Sequence, residues 1–164
     1  MTAPKTFYKL TDQEGKTFGG TQWGPGVSHS GTGEGELCGP GYVHVYNDPL
    51  LAVFLNPIHA NFKNPRMWEG PASGKILEDY GTKFGVETFT TITEIPCPKP
   101  TLEQHIRFGI LSALEVYTEP GFVSWAKNWL SGADRSKEAA EAAEAAGAAG
   151  AAGAAAGAAG AAAW

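Results

Sequence analysis

The residues best suited to chemistry lie close together in the first third of the chain. Tyr42, His44 and Tyr46 alternate with two valines. Residues two apart on a β-strand point to the same face, so the pattern predicts an imidazole between two phenols. Such a stripe can line a small polar pocket, or it can form a half-buried surface where the histidine hydrogen-bonds to a neighbour. Cys38 and His44 have the residue types of a nucleophile and its base. The candidate binding pocket therefore comprises Tyr42, His44, Tyr46 and Cys38, and no residue is assigned as catalytic.

The four histidines and two cysteines do not form a metal-binding motif. Neither H-x-x-x-H nor C-x-x-C occurs, and these are spacings that zinc sites use. In a cytosolic protein Cys38 and Cys97 are expected as reduced thiols. The glycine-rich stretch 31–35 lacks the Lys-Ser/Thr pair of a phosphate-binding loop. The sequence thus predicts no metal and no cofactor.

Charge and composition exclude several classes of protein. The chain has 164 residues, is 43% hydrophobic and carries a net charge of -5, so it can bury a core. Its lysines and arginines are scattered, whereas a nucleic-acid-binding face needs them clustered. Nucleic acid is therefore not expected as a direct partner. Residues 1–5 lack the apolar run of a secretory signal, which predicts synthesis in the cytosol.

Composition changes abruptly near Ser136. All the phenylalanines, tyrosines and prolines and both cysteines precede that point, whereas alanine and glycine dominate after it. We therefore expect a globular α+β domain over 1–132 and an Ala/Gly-rich helical tail over 133–164.

Several segments have the composition of strands. Residues 6–11 alternate apolar with polar, and 16–23 follows a turn and could return as a hairpin partner. Residues 42–46 and 86–95 are rich in strand formers. Weaker candidates occupy 67–72 and 75–80, where Pro71 removes a ladder donor and favours an edge or an end. The glycines and prolines between residues 19 and 41 predict a long connection.

Helices follow in the second half. Pro49 after a capping Asn-Asp begins one helix, which Pro57 is expected to stop. Thr101 opens a capping box ahead of a second helix. Apolar residues at helical spacing over 122–130 predict a third, ended by Gly132 in a left-handed cap. Strands first and helices later indicate an α+β fold: a small mixed or antiparallel sheet with two or three packed helices, then the Ala/Gly-rich C-terminal helix.

The tail carries glycines at a regular spacing. The intervals alternate between three and four, as at the a and d positions of a heptad, along Gly150, Gly153, Gly157, Gly160 and Trp164. A glycine seam permits close approach of a second helix, so we expect self-association or docking onto a protein partner. A solvent-exposed low-complexity helix and a three-residue polyproline-type helix are alternatives. A membrane span is not expected, because residues 145–164 lack Leu, Ile, Val and Phe.

One motif resembles a known group of sequences. Leu37-Cys38-x-x-Gly41-Tyr42-x-His44 followed by Asn47-x-Pro49-Leu50 is similar to the L-C-x-x-G-[FY]-H-x-x-x-N-P-L signature of uncharacterised small bacteriophage and prophage proteins with an Ala-rich C-terminal tail. Here Val43 separates the aromatic residue from His44. The resemblance implies a phage origin and no particular reaction or ligand.

Three functions remain open from the sequence. The first is a non-enzymatic phage accessory or virion-associated protein that assembles through its tail. The second is an early phage protein that binds a host defence or regulatory factor. The third is a small enzyme with a pocket around Tyr42, His44 and Tyr46. The first two place the protein in the host cytoplasm during infection or in the virion.

Overall fold

The computed structural model describes residues 5–143, and the chain divides into two compact units, Met1–Lys99 and Pro100–Trp164. We call them the sheet unit and the helical unit. Composition did not mark this boundary, because aromatic and apolar residues are abundant on both sides of it. The predicted seam residues Gly150, Gly153, Gly157, Gly160 and Trp164 lie outside the described residues, so a separate tail over 133–164 stays a prediction.

The sheet unit holds an antiparallel sheet of six strands, and with the helices this confirms the α+β fold class. The strands are β1 (Thr6–Thr11), β2 (Ser28–Ser30), β3 (Val43–Val45), β4 (Arg66–Asp79), β5 (Lys83–Thr90) and β6 (Thr93–Ile95). Their order is β1-β4-β5-β2. In addition, β3 pairs with β5 and β6 pairs with β4.

The sheet curls so that its ends meet. Tyr8 and Tyr46 exchange two backbone hydrogen bonds of 2.8 Å, so β1 also pairs with the residue that follows β3. The path β1-β4-β5-β3 therefore closes on itself. Its apolar interior is made by Phe7, Trp23, Val45, Phe84, Val86 and Phe89.

The predicted hairpin between 6–11 and 16–23 is wrong. β1 pairs with β4 over its whole length, and 16–23 forms a small loop with a 3₁₀ turn at Phe18–Gly20. Gly19 and Gly20 have φ values of 71° and 77°. Glycine adopts this left-handed conformation without a Cβ clash, and it is incompatible with an extended strand.

The other predicted strands are found at the expected positions, but their ends differ from the prediction. Segments 67–72 and 75–80 form one strand, and 86–95 is interrupted between Thr90 and Thr93. Pro71 occupies the last pair of the β1 ladder, and the ladder to β5 begins at Ala72. Proline thus sits at the end of a ladder, where its missing N–H is tolerated, while the strand continues past it.

Helix α1 (Pro49–His59) belongs to the sheet unit. Asp48 caps it, accepting a 2.8 Å hydrogen bond from the Leu51 amide. The expectation that Pro57 stops this helix is wrong, because the helix continues to His59. A proline this near the C-terminal end removes one hydrogen bond, and only two residues follow it.

The helical unit contains α2 (Leu102–Leu114), α3 (Pro120–Ser131) and α4 (Lys137–Ala143). The capping box at Thr101 and the left-handed cap at Gly132 are both confirmed. Ile110, Ala113, Phe122 and Ala126 form the core between α2 and α3. Across residues 5–143, none of the helices combines the length and apolarity needed to cross a bilayer.

Candidate functional site

The sheet unit contains a cleft of about 970 Å³, which we call the central cleft. Its walls come from β1, β2, β3, the start of β5, the end of α1 and the loops that precede β2 and β3. The candidate residues Tyr42, His44, Tyr46 and Cys38 all lie in its lining. The structure therefore brings the four together, and a binding role for them stays a prediction.

His44 lies in β3, and Tyr42 and Tyr46 flank this strand, so the three follow the two-residue alternation of extended backbone. Val45 is buried in the apolar interior, and Val43 packs against that interior while also lining the cleft. The Tyr42 hydroxyl donates to the Gly33 carbonyl at 2.6 Å, and the Tyr46 hydroxyl oxygen lies 2.9 Å from Nδ1 of His59. Both phenols thus hold neighbouring segments against the cleft.

His44 has a defined ring orientation. Its Nε2 lies 2.6 Å from the Leu37 carbonyl oxygen. A carbonyl only accepts, so Nε2 carries the proton and a neutral ring keeps its lone pair on Nδ1. Burial is the main cause that lowers the pKa of His44, with further lowering by the charges of Lys83 and Lys9. The neutral imidazole is therefore favoured near pH 7.

Lys9 is a buried lysine of the cleft that the sequence analysis missed. Its side chain is 8% exposed, and its Nζ donates to the His44 carbonyl at 2.9 Å and lies 4.8 Å from the Trp23 ring centroid. Burial lowers the pKa of Lys9 to about 8. The sequence did contain a signal for a buried lysine. Lys9 is two residues from Phe7 and therefore shares its strand face, where an apolar residue would be expected.

Lys83 and Cys38 meet at one end of the cleft. The Lys83 ammonium donates to Cys38 Sγ at 3.1 Å, and Cys38 is an exposed free thiol. The sequence pattern offered His44 as a base for Cys38. In the structure Nε2 of His44 bonds to the Leu37 carbonyl, and the side chain that contacts the sulfur is that of Lys83. The sequence did not single out Lys83, because it lies between two predicted strands.

His59 is a second imidazole that sequence analysis missed. It is the last residue of α1, two positions beyond the proline that was expected to stop the helix. Burial, then the charge of Lys83, lowers the pKa of His59, and the charge of Asp79 partly opposes this. Burial also raises the pKa of Tyr46 to about 12, so this phenol stays protonated at neutral pH.

Aromatic and apolar side chains complete the cleft. The His29 ring stands edge-on to Trp23 with centroids 4.5 Å apart, and its Nε2 donates to the Gln22 carbonyl at 2.8 Å. Phe18 is 99% exposed and Ile58 is 71% exposed, and both line the cleft. The cleft therefore combines nitrogen donors with an apolar mouth.

The described residues give no metal centre. Within 5–143, no three His, Cys, Asp or Glu side chains come together in a group that could hold a metal ion. The chemistry offered by the central cleft is that of ammonium, imidazole, phenol and thiol groups.

Comparison with known proteins gives no match to a family model, a curated protein or a solved structure. The resemblance to small phage proteins therefore stays a prediction.

Proposed function

We propose that this protein is a small-molecule-binding protein whose ligand occupies the central cleft. The observation that carries the proposal is the convergence of Tyr42, His44 and Tyr46 with Lys9 and Lys83 around one cavity. Its volume of about 970 Å³ lies within the range of known ligand sites.

The polar groups of the cleft support binding for a second reason. Ligand sites are mostly apolar and contain a few fixed polar groups that set orientation. Here Trp23 and Phe18 provide apolar surface, and hydrogen bonds to backbone fix the His44 ring and the Lys9 ammonium. Ionisable groups with shifted pKa values in a cleft are also more frequent at functional sites than elsewhere.

A fragment-binding experiment on the full chain tests this function. An isotope-labelled sample is titrated with soluble aromatic fragments that include neutral, anionic and cationic members. We expect the backbone amide signals of 42–46, Trp23 and 58–60 to shift together for at least one fragment. If no fragment binds, or if the shifts fall outside the cleft, the proposal is wrong.

A variant that fills the cleft sharpens that test. Thr21 is half-buried in the lining, so Thr21→Trp places a large ring inside the cleft and should abolish the shifts. Thr93→Trp adds the same ring at an exposed position of β6 and should leave binding unchanged. Circular dichroism of both variants checks that they are folded.

Two other functions stay predictions. Assembly through the glycine seam depends on residues outside 5–143, although α4 shows that the alanine-rich segment begins as a helix. Binding of a host defence or regulatory protein has no specific observation in its favour. The small-molecule function is compatible with a phage accessory protein and with an enzyme that acts on the bound ligand.

A further inference from the structure

The lysines of the central cleft have no acidic counterpart in its lining. Lys9 and Lys83 line the cleft, and none of the lining residues is Asp or Glu. The nearest carboxylate in the ladder, Asp79 opposite Lys83, lies outside the lining and raises the pKa of His59. The salt bridges found within residues 5–143 use Arg66, Arg107, Arg135 and Lys137. The whole chain carries a net charge of -5, so the cleft concentrates positive charge in an acidic protein.

The position of Lys9 makes this charge costly. An ammonium taken out of water is destabilised unless an anion or several hydrogen bonds replace its hydration. One of the three N–H groups of Lys9 is donated to the His44 carbonyl, and the π face of Trp23 provides weaker compensation. An anion in the cleft would supply the missing partner.

The histidines couple the cleft to pH. Burial is the main cause that lowers the pKa of both His44 and His59. The charges of Lys83 and Lys9 lower that of His44 further, and for His59 the charge of Lys83 lowers the pKa while that of Asp79 raises it. A bound anion would counteract this effect and raise both pKa values. Protonation of either ring would in turn strengthen anion binding, because the linkage is reciprocal.

The mouth of the cleft indicates the rest of the ligand. Phe18 and Ile58 are large apolar side chains that remain 99% and 71% exposed. The Trp23 and His29 rings line the same cavity, and Trp23 is buried. Planar apolar groups pack favourably on such rings.

We propose that the ligand of the central cleft is a small planar anion, with its carboxylate, sulfonate or phosphate near Lys9 and Lys83 and its apolar body toward Phe18 and Ile58. This inference rests on the proposed small-molecule function and specifies its ligand class. Lys83 lies at the start of β5 and Lys9 on β1, so the anionic group is held by two different strands.

Three probes that share a ring system and differ in charge test the inference. Naphthalenesulfonate, naphthylmethanol and naphthylmethylammonium are titrated into the full chain at pH 7, and their dissociation constants are measured by calorimetry. We expect the anion to bind at least about tenfold more tightly than the alcohol, the factor of one charge-assisted hydrogen bond. The ammonium compound should bind most weakly.

Lysine variants locate the effect in the cleft. Lys83→Gln should reduce the preference for the anion about tenfold or more, and Lys83→Arg should largely restore it. Lys9→Met provides a second, independent loss of charge. The matched control is Lys99→Gln, which removes a charge at an exposed residue that does not line the cleft.

The outcomes separate the inference from the proposed function. If the anion preference is lost in Lys83→Gln and Lys9→Met and kept in Lys99→Gln, the inference is supported. If the alcohol binds in the cleft as tightly as the anion, the small-molecule function stands and the inference is wrong. If none of the probes or fragments binds, both fail. An anion preference that survives both cleft variants places the anion elsewhere and overturns the inference.

Discussion

Burial of the Lys9 ammonium lowers the stability of the folded protein. At pH 7 it is protonated in both the folded and the unfolded chain, since the pKa is about 8 when folded and 10.5 is its ordinary value. The whole cost of burying the ammonium therefore applies at neutral pH. Above pH 8 the folded protein loses this proton first, so its stability rises relative to a protein without the lysine until the pH passes about 10.5.

This predicts that Lys9→Met is more stable than the natural sequence at pH 7. Removing the buried charge should raise the free energy of unfolding by about 3 kcal/mol, the equivalent of the pKa difference. Loss of the hydrogen bond to His44 should lower it by about 1 kcal/mol. We expect a net gain of about 2 kcal/mol at pH 7 that largely disappears near pH 9.5. Urea unfolding at the two pH values measures both quantities.

The matched control for stability is Lys99→Met at an exposed position. Its free energy of unfolding should stay within about 0.5 kcal/mol of the natural sequence at both pH values. A Lys9→Met protein that is destabilised at pH 7 would contradict the prediction. His44 on β3, Lys83 on β5, His59 on α1 and His29 on β2 line the same cleft and are present in both proteins. The comparison therefore reports loss of Lys9 together with the rise in the His44 pKa that follows from it.

Sequence analysis singled out four residues that line the central cleft and missed Lys9, Lys83 and His59, and the reason is physical. Tyr42, His44 and Tyr46 lie in or next to β3, so their grouping could be predicted from the two-residue period. Lys9 and Lys83 reach the cleft only because β1 and β5 join the same sheet. Such long-range pairing leaves little trace in a local pattern.

At the scale of elements, the loop over 31–41 depends on close backbone packing. The Gly31 amide donates to the Glu87 carbonyl at 2.8 Å, and the Gly33 amide donates to the Gly41 carbonyl at 2.9 Å. A Cβ added at Gly31 would overlap with the Gly41 carbonyl oxygen. Both Gly31 and the loop residues Cys38, Gly39 and Pro40 line the cleft, so this packing helps to shape it.

We therefore expect Gly31→Ala to lower the free energy of unfolding by about 1–3 kcal/mol, the usual cost of overpacking. It should also weaken any fragment binding in the cleft, because the loop must move. Urea unfolding measures the first effect and the fragment titration measures the second.

Gly24→Ala is the control, because its added Cβ would meet nothing closer than the Val27 Cγ2 atom at 3.8 Å. It should be neutral or slightly stabilising, since alanine restricts the unfolded chain. Equal stability of the two variants would show that the close packing of Gly31 is unimportant.

Element types were easier to predict than partners. Capping residues such as Asp48 and Thr101 act within one turn, so both helix starts could be located from sequence. The partner of β1 is β4, some 60 residues away by register, and a local turn signal favoured the wrong hairpin. The unit boundary before α2 was missed for the same reason, since it depends on which segments pack together.

At the scale of the whole molecule, assembly is predicted from the sequence of the tail alone. In a helix Gly153 and Gly157 would share one face, whereas Ala155 and Ala159 would lie on the opposite face. Replacing the two glycines by leucine removes poor helix formers and also blocks close approach. A glycine-mediated assembly should therefore lose mass while its helix content rises.

The corresponding experiment compares two double variants of the full chain. Gly153→Leu with Gly157→Leu should lower the solution mass measured by light scattering at several concentrations, while circular dichroism shows more helix. Ala155→Leu with Ala159→Leu adds the same apolar surface away from the seam and should keep the mass of the natural chain. If the glycine variant keeps its mass, or if both variants lose it equally, close approach at the glycines is not what holds copies together. Because Leu is larger and more apolar than Gly, a simple hydrophobic association would strengthen in the glycine variant, so the sign of the change distinguishes the two mechanisms.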